Sequence, residues 1–428
     1  MLRIVNQHSE AQTELLRIRA RFDDPHLKEH ESLVRELIEE IKEKGNGAII
    51  DYASKFHEVT ITEARLKVSG SELDAAYQQV SQELLGALKV AREKLTAFHR
   101  QRIPKSWVQF QGDDVAIGKR YKPLDSVGIY IPDGSRAHLS LVLLQAIPAV
   151  VAGVKNIILV CQPDRDLKIH PAILVAAQEA GVKEIYRVGG PSAIAALAYG
   201  TQTIPKVDLI TGVGDLYVSL AKKLLIDRVR VNSLHNAAEL MILADATANP
   251  KQIAFDLLSS AEQSSLASAI LLTPGTKLAR AVQDEVRQQL PNHPQRILTE
   301  KAIAHYGLIV VVESLAQSLK LANSFAPTHL SLLLEEPWDI LEQIQHAGTI
   351  LVGPSTPKIV GDYLGGSALA FGSSLGVENF LATSNVIHHT GDSLKQVSKS
   401  LQILAQAEGF SAGGGGLKFR DNEANEQF

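Results

Sequence analysis

The sequence predicts an α/β protein with two tandem domains of parallel strands and helices. Three observations predict this class: apolar runs of strand length recur, glycine turns follow several of them, and helical patterns separate them. The first set begins near Val127, and a second set follows residue 235. A chain of 428 residues, 45% of them hydrophobic, is long enough to form more than one core.

Composition excludes several classes of protein. The 43 basic and 47 acidic residues nearly cancel, which argues against a nucleic-acid-binding or anionic-membrane surface. A lone cysteine, Cys161, rules out an internal disulfide and is expected to be a buried strand thiol. The N-terminus lacks an apolar signal segment, and the longest apolar stretch, 139–154, is too short to span a bilayer comfortably. We therefore expect a cytoplasmic protein.

The first hundred residues are helical in pattern. Apolar residues between 33 and 41 recur at i, i+3 and i+4 spacing, which predicts an amphipathic helix. The segment Gly45-Asn46-Gly47 is expected to end it. Further helices are predicted from Ala48 and over 84–98.

The first α/β domain contains the glycine turns. Its strand candidates are 127–131, 156–161, 184–188 and 207–210. Glycines follow three of them, at Gly134, at Gly189-Gly190, and at Gly212 and Gly214. Such turns let backbone N–H groups approach a phosphate at a helix N-terminus, but a complete dinucleotide fingerprint is missing. Nucleotide binding and simple turning of the chain both remain open.

The second domain carries the most suggestive polar residues. Its strand candidates are 240–244, 269–272, 307–312, 329–334 and 349–352, and a final helix is predicted over 394–407. His329 stands where a loop meets an apolar strand, and Asp362 lies in a glycine-flanked loop. The 14 histidines are scattered along the chain, and the adjacent pair His388 and His389 points its two rings apart.

Several segments resemble the histidinol dehydrogenase family, in the family's order and over nearly the whole chain. They are 127–132, 146–154, 188–190, 193–201, 205–208, Gly212 and Gly214, 256–259, 261–262, Pro327 with 329–330, and 361–363. The resemblance implies two incomplete Rossmann-like domains, at 121–235 and 236–376. It also implies a helical N-terminal region, 1–120, packing on the second domain. A C-terminal extension, 377–428, is expected to cross to the partner of a homodimer.

The resemblance also implies an activity. The family oxidises L-histidinol, an amino alcohol, to L-histidine in two NAD-dependent steps, with a zinc ion holding the substrate. Of the four zinc-ligand positions only Asp362 is retained, whereas Ser260, Gln263 and Gly413 occupy the others. An aspartate and a neutral amide do not replace a tetrahedral set of N, S and carboxylate ligands, so no tight zinc is expected.

The catalytic and substrate positions are altered as well. Of the family's Glu-His pair, the Glu position is Thr328, while His329 is retained as the expected catalytic and substrate-binding histidine. Asp362 and Glu408 are retained as substrate-binding carboxylates. A substrate-binding serine position is Ala238, and a substrate-binding histidine position is Leu369.

The cofactor-binding positions of the family are only partly retained. Tyr130 is retained, Ser192 replaces a glutamine, and Asp215 replaces an asparagine. Asp133 lies beside the expected phosphates, where a carboxylate repels pyrophosphate unless it points away. NAD binding is therefore possible but not assured by these residues.

Three hypotheses follow. The first is a diverged homologue without the zinc-dependent activity. The second is an NAD-dependent dehydrogenase of another alcohol that uses His329 without a metal. The third is histidinol oxidation with replacement ligands, for which His235, His388 and His389 are candidates.

Overall fold

The computed structural model describes residues 2–22, 26–112, 114–135, 137–232, 239–366, 375–410 and 416. The strands are numbered in chain order. They are β1 (Arg3–Val5), β2 (Trp107–Gln111), β3 (Val115–Pro123), β4 (Ser126–Ile131), β5 (Asn156–Cys161), β6 (Glu184–Arg187), β7 (Leu209–Gly212), β8 (Arg230–Val231), β9 (Glu239–Ala244), β10 (Ser268–Thr273), β11 (Gly307–Val311), β12 (His329–Leu333), β13 (Thr349–Val352) and β14 (Leu381–His389).

The α-helices are numbered in the same way. They are α1 (His8–Arg19), α2 (Leu27–Lys44), α3 (Asn46–His57), α4 (Glu63–Leu66), α5 (Gly70–Gln78), α6 (Gln82–Arg100), α7 (Leu139–Ala152), α8 (Pro171–Glu179), α9 (Gly190–Tyr199), α10 (Leu216–Leu224), α11 (Pro250–Ala261), α12 (Thr276–Gln289), α13 (Arg296–Tyr306), α14 (Leu315–Phe325), α15 (Lys358–Val360) and α16 (Gly391–Ala407).

Two parallel sheets confirm the predicted fold class. The five-stranded sheet has the order β6-β5-β4-β7-β8, and the six-stranded sheet has the order β1-β11-β10-β9-β12-β13. Successive side chains of β9 alternate between two cores, with Leu240 and Ile242 on one face and Met241 and Leu243 on the other. This alternation is the period of two that a strand buried on both faces requires. The Cys161 thiol is buried at the end of β5, as predicted.

The N-terminal region divides between the two sheets. Strand β1 pairs with β11, so the first residues belong to the six-stranded sheet. Helices α2 and α3 instead pack on α9 and α10 beside the five-stranded sheet, where the small side chains of Ala193, Ala195 and Ala196 are buried. The N-terminal region therefore contacts both sheets: β1 and Arg21 meet the six-stranded sheet, and α2 and α3 lie beside the five-stranded one.

The chain separates into two compact units, one of Met1–Arg102 with Leu124–Phe380 and one of Ile103–Pro123 with Leu381–Phe428. The second unit contains an antiparallel sheet of order β14-β3-β2 and helix α16. The N-terminal region is mainly helical, as predicted, and it also contains strand β2 and most of strand β3. Strand β14 precedes α16 in the C-terminal segment. In the part of the chain given above, no helix combines the length and the apolar character needed to cross a bilayer.

Candidate functional site

A group of buried polar side chains lies at the amino ends of neighbouring strands in the six-stranded sheet. Strands β9 and β12 begin at Glu239 and His329, and the register pairs His329 with Leu240. Because parallel neighbours begin at the same edge of a sheet, the two polar residues come together there. Glu239 is 1% exposed and His329 is 3% exposed. This edge therefore places a buried carboxylate beside a buried imidazole.

Arg21 balances the charge of that carboxylate. Its Nη2 lies 2.6 Å from Glu239 Oε1, and both side chains are almost completely buried. The guanidinium also donates to the backbone oxygens of Ile18 and Leu266. The second carboxylate oxygen, Oε2, accepts hydrogen bonds from the backbone N and Oγ1 of Thr328. A buried ion pair needs such additional hydrogen bonds to offset the cost of its desolvation.

His329 has a defined tautomer in this network. Its Nδ1 lies 3.3 Å from the backbone oxygen of Glu239. Because a carbonyl oxygen only accepts, this contact assigns the proton to Nδ1 and the lone pair to Nε2. Burial, with a further contribution from the positive charge of Lys358, lowers the pKa of His329 to about 3. The imidazole is therefore neutral near pH 7, and Nε2 is an acceptor.

Asp362 faces that acceptor. Its Oδ1 lies 3.9 Å from His329 Nε2, which is too long for a hydrogen bond. Nε2 is buried and has no hydrogen-bond partner among the described residues. The other carboxylate oxygen, Oδ2, accepts from Lys358 Nζ at 2.7 Å. The three side chains form what we call the His329–Asp362–Lys358 cluster.

The donor set does not suit a tetrahedral zinc ion. Ser260 lies in the last turn of α11 and is buried. Its Oγ has no hydrogen-bond partner among the described residues. Gln263 offers only a neutral amide, and the carboxylate of Asp362 is held by Lys358. Within the described ranges no group of three or more His, Cys, Asp or Glu side chains is arranged to hold a metal. Gly413 lies outside the described residues.

Other predicted substrate and ligand positions are placed as follows. Glu408 is exposed just after α16 in the second unit. His388 is exposed on β14, and His389 Nδ1 lies 3.1 Å from Ser393 Oγ. Three further positions lie outside the described residues: His235, Ala238 and Leu369.

The expected cofactor residues gather at the carboxyl edge of the five-stranded sheet. The hydroxyl of Tyr130, near the end of β4, accepts from the backbone N of Gly190 at 3.2 Å, and burial raises the pKa of this phenol above its ordinary value. Ser192 Oγ donates to the Gly189 oxygen at 2.7 Å. Asp215 caps α10 by accepting from the backbone N of Val218. All three polar groups are therefore engaged with backbone.

The glycine turn before α9 is covered from the N-terminal helices. A Cβ added at Gly190 would lie 2.9 Å from the hydroxyl of Tyr52 on α3, and one at Gly189 would lie 2.5 Å from the side chain of Gln162. Gln162 Nε2 in turn lies 3.0 Å from His57 Nδ1. The cavity left among these groups is about 10 Å³, room for about one water molecule.

The Asp133 carboxylate, expected beside the cofactor phosphates, is engaged by hydrogen bonds within its own loop. Its Oδ1 accepts from the backbone N and the hydroxyl of Ser135, which forms a local turn. The carboxylate is thus held by its own loop.

The sequence analysis did not identify three of the residues that surround His329 and Asp362: Arg21, Glu239 and Lys358. Lys358 could have been found from the sequence, because its spacing of four residues from Asp362 is that of a helical ion pair. Arg21 gave no such signal, because 218 residues separate it from Glu239.

Comparison with known proteins identifies the family. The histidinol dehydrogenase family model matches residues 21–420. A histidinol dehydrogenase of Thermosynechococcus vestitus is 52% identical over 417 residues, which cover 96% of this chain and 97% of the relative. Histidinol dehydrogenase 2 of a Nostoc species is 50% identical over 428 residues, covering 98% and 99%. The crystal structure of histidinol dehydrogenase from Elizabethkingia anophelis is 30% identical and has a TM-score of 0.91, covering 99% of this chain and 98% of that one. The chain belongs to the histidinol dehydrogenase family.

Proposed function

We propose that this protein is a diverged histidinol dehydrogenase homologue that has lost the zinc-dependent oxidation of L-histidinol. One observation carries the proposal: Asp362, the retained position of the family's zinc-ligand set, is held in an ion pair by Lys358 at 2.7 Å. A metal ion would have to displace an ammonium group from a largely buried carboxylate. Ser260 and Gln263 add no anionic or imidazole ligand to compensate for that cost.

The catalytic positions support the same proposal. The hydroxyl of Thr328 donates a hydrogen bond to Glu239, and this side chain has no acid–base group that titrates near neutral pH. Glu239 does not replace the missing glutamate, because its two oxygens are engaged with Arg21 and with Thr328. An activated water therefore lacks a carboxylate base at this position.

An NAD-linked dehydrogenase of another alcohol is the second candidate, and the free acceptor at His329 Nε2 favours it. In such a reaction His329 takes the hydroxyl proton while the carbinol carbon gives a hydride to the nicotinamide. A pKa of about 3 makes His329 a weak base, so the proton transfer gains little driving force. The covered glycine turn also leaves little room for a pyrophosphate at α9. The first candidate is therefore favoured.

We also propose a homodimer in which the segment from residue 377 onward contributes to the interface. The second unit exposes apolar side chains on its sheet and on α16 and its C-terminal end, among them Phe110, Ile387, Leu404 and Phe410. Exposed apolar patches of this kind mark protein interfaces. The remaining domain boundaries, at 121, 236 and 376, stay proposals.

One experiment separates the candidates. Zinc content of the purified protein is measured by atomic absorption. NADH formation from L-histidinol and from a panel of other small alcohols is followed with added zinc and, separately, with EDTA. The proposed function predicts neither bound zinc nor turnover. Turnover that resists EDTA would favour the metal-free dehydrogenase. About one zinc per chain with EDTA-sensitive turnover would refute the proposal.

A further inference from the structure

The site holds a cation of its own beside the retained carboxylate. Lys358 and Asp362 lie one helical turn apart, and their side chains are 14% and 15% exposed. Because both groups are largely removed from water, their attraction is screened less than that of a surface pair. The ammonium thus provides positive charge at a position where the family resemblance implies a metal ion.

Hydrogen-bond accounting shows what the cluster lacks. A lysine ammonium has three N–H donors, and the described residues give Lys358 Nζ one acceptor, Asp362 Oδ2. The lone pair of His329 Nε2 accepts no hydrogen bond from any of the described residues. The two groups flank the Asp362 carboxylate: Oδ2 lies 2.7 Å from Lys358 Nζ, and Oδ1 lies 3.9 Å from His329 Nε2. The cluster presents one unmet acceptor beside unmet donors.

A hydroxyl group satisfies both requirements at a single oxygen. Its proton is donated to a neutral imidazole, and its lone pairs accept from an ammonium. A carboxylate ligand would leave His329 Nε2 without a donor, and an ammonium ligand would face the like charge of Lys358. A small alcohol is therefore the ligand class that completes these hydrogen bonds.

We propose that Lys358 takes the place of the family's metal ion, excluding a divalent cation and holding the oxygen of a small alcohol whose hydroxyl donates to His329 Nε2. This inference rests on the proposed loss of zinc and names the group that replaces it. It concerns binding and requires no redox step.

The first test concerns the metal. Q263H restores a family ligand position, and it is combined with the native Lys358, with K358R, which keeps the charge, and with K358M, which removes it. Binding of Co²⁺ is measured by its visible absorption, and Zn²⁺ by competition. We expect the K358M combination to bind on the order of a hundredfold more tightly than the other two, since like charges in contact oppose binding. Equal affinities in all three proteins would overturn the proposal.

The second test concerns the alcohol and uses the wild-type protein. Calorimetry compares imidazole-4-ethanol, an alcohol without an ammonium group, with 4-propylimidazole, in which a methyl group replaces the hydroxyl group. We expect the alcohol to bind roughly tenfold more tightly, the magnitude of a hydrogen bond to a charged group, and K358M to lose this preference. Equal binding of the two probes to wild-type protein would overturn the inference. Stoichiometric zinc in the wild-type protein would instead refute the proposed function, so the two failures are distinguishable.

Discussion

The ion pair between Arg21 and Glu239 is expected to be one of the main supports of the site, and replacing Arg21 by methionine tests this. R21M keeps an extended side chain but leaves the Glu239 carboxylate with the two donors of Thr328 as its partners among the described residues. Both partners of the pair are almost completely buried. Removing one partner of a buried pair costs about 3–5 kcal/mol, because the remaining charge is left uncompensated. We expect R21M to lower the free energy of unfolding by that amount.

A matched surface pair provides the control. Arg165 and Glu58 approach within 2.8 Å, but their side chains are 82% and 72% exposed. R165M should cost less than about 1 kcal/mol, because exposed ion pairs contribute little. Urea unfolding followed by circular dichroism gives both values under identical conditions.

The double variant R21M/E239Q completes the cycle. If the loss in R21M comes from the unpaired carboxylate, removing that charge should recover about 1–3 kcal/mol relative to the sum of the single variants. The reasoning is refuted if R21M costs no more than R165M, or if the two single losses are additive. The outcome bears on function, because Glu239 holds the backbone of Thr328 and its carbonyl oxygen fixes the His329 tautomer.

Three further predictions concern other parts of the chain. The folded protein holds the pKa of His329 at about 3, below the ordinary value of 6.5, so the unfolded state binds one more proton between those pH values. Stability should therefore fall as the pH decreases through this window, by a few kcal/mol, and H329Q should flatten that dependence in urea titrations at successive pH values. G190A should cost about 1–2 kcal/mol, because φ is +60° there, whereas G86A, in an open helical position, should leave the melting temperature unchanged or raise it. F110D should shift a homodimer toward monomer in light scattering, because Phe110 is 73% exposed on the second unit; an unchanged mass would contradict the proposed interface.

Most of the parallel strands were predictable because their residues are buried or half-buried, whereas the short edge strands β1 and β8 were not predicted. Strand β5 was predicted with its observed bounds, and β13 likewise, since each is a continuous apolar run between turns. Strands β2 and β14 carry mostly exposed residues, so no burial pattern marked them. A strand whose partners lie elsewhere in the sequence and whose faces are largely exposed leaves little local signal.

The site was predictable only where a single residue carried the resemblance. His329 and Asp362 were expected, and the structure brings them to within 3.9 Å. Their charge environment was not expected, because it depends on Arg21 and Glu239, whose separation in sequence hides their contact. Long-range pairing of this kind is a property of the fold and not of any local pattern.

The position of the cluster departs from a general rule for open α/β sheets. Ligands in such folds bind beyond the carboxyl ends of the strands, and the glycine turns after β6 and β7 follow that rule. The His329–Asp362–Lys358 cluster instead meets the amino edge of the six-stranded sheet, where β12 begins. Arg21, from the 3₁₀ turn after α1, makes this possible, because it neutralises the carboxylate at the start of the neighbouring strand. With Glu239 neutralised and Asp362 paired with Lys358, both carboxylates have a cationic partner. The imidazole Nε2 is left as an acceptor that no described residue supplies with a donor. A ligand that brings a hydroxyl proton and no net charge satisfies that arrangement better than a divalent cation does.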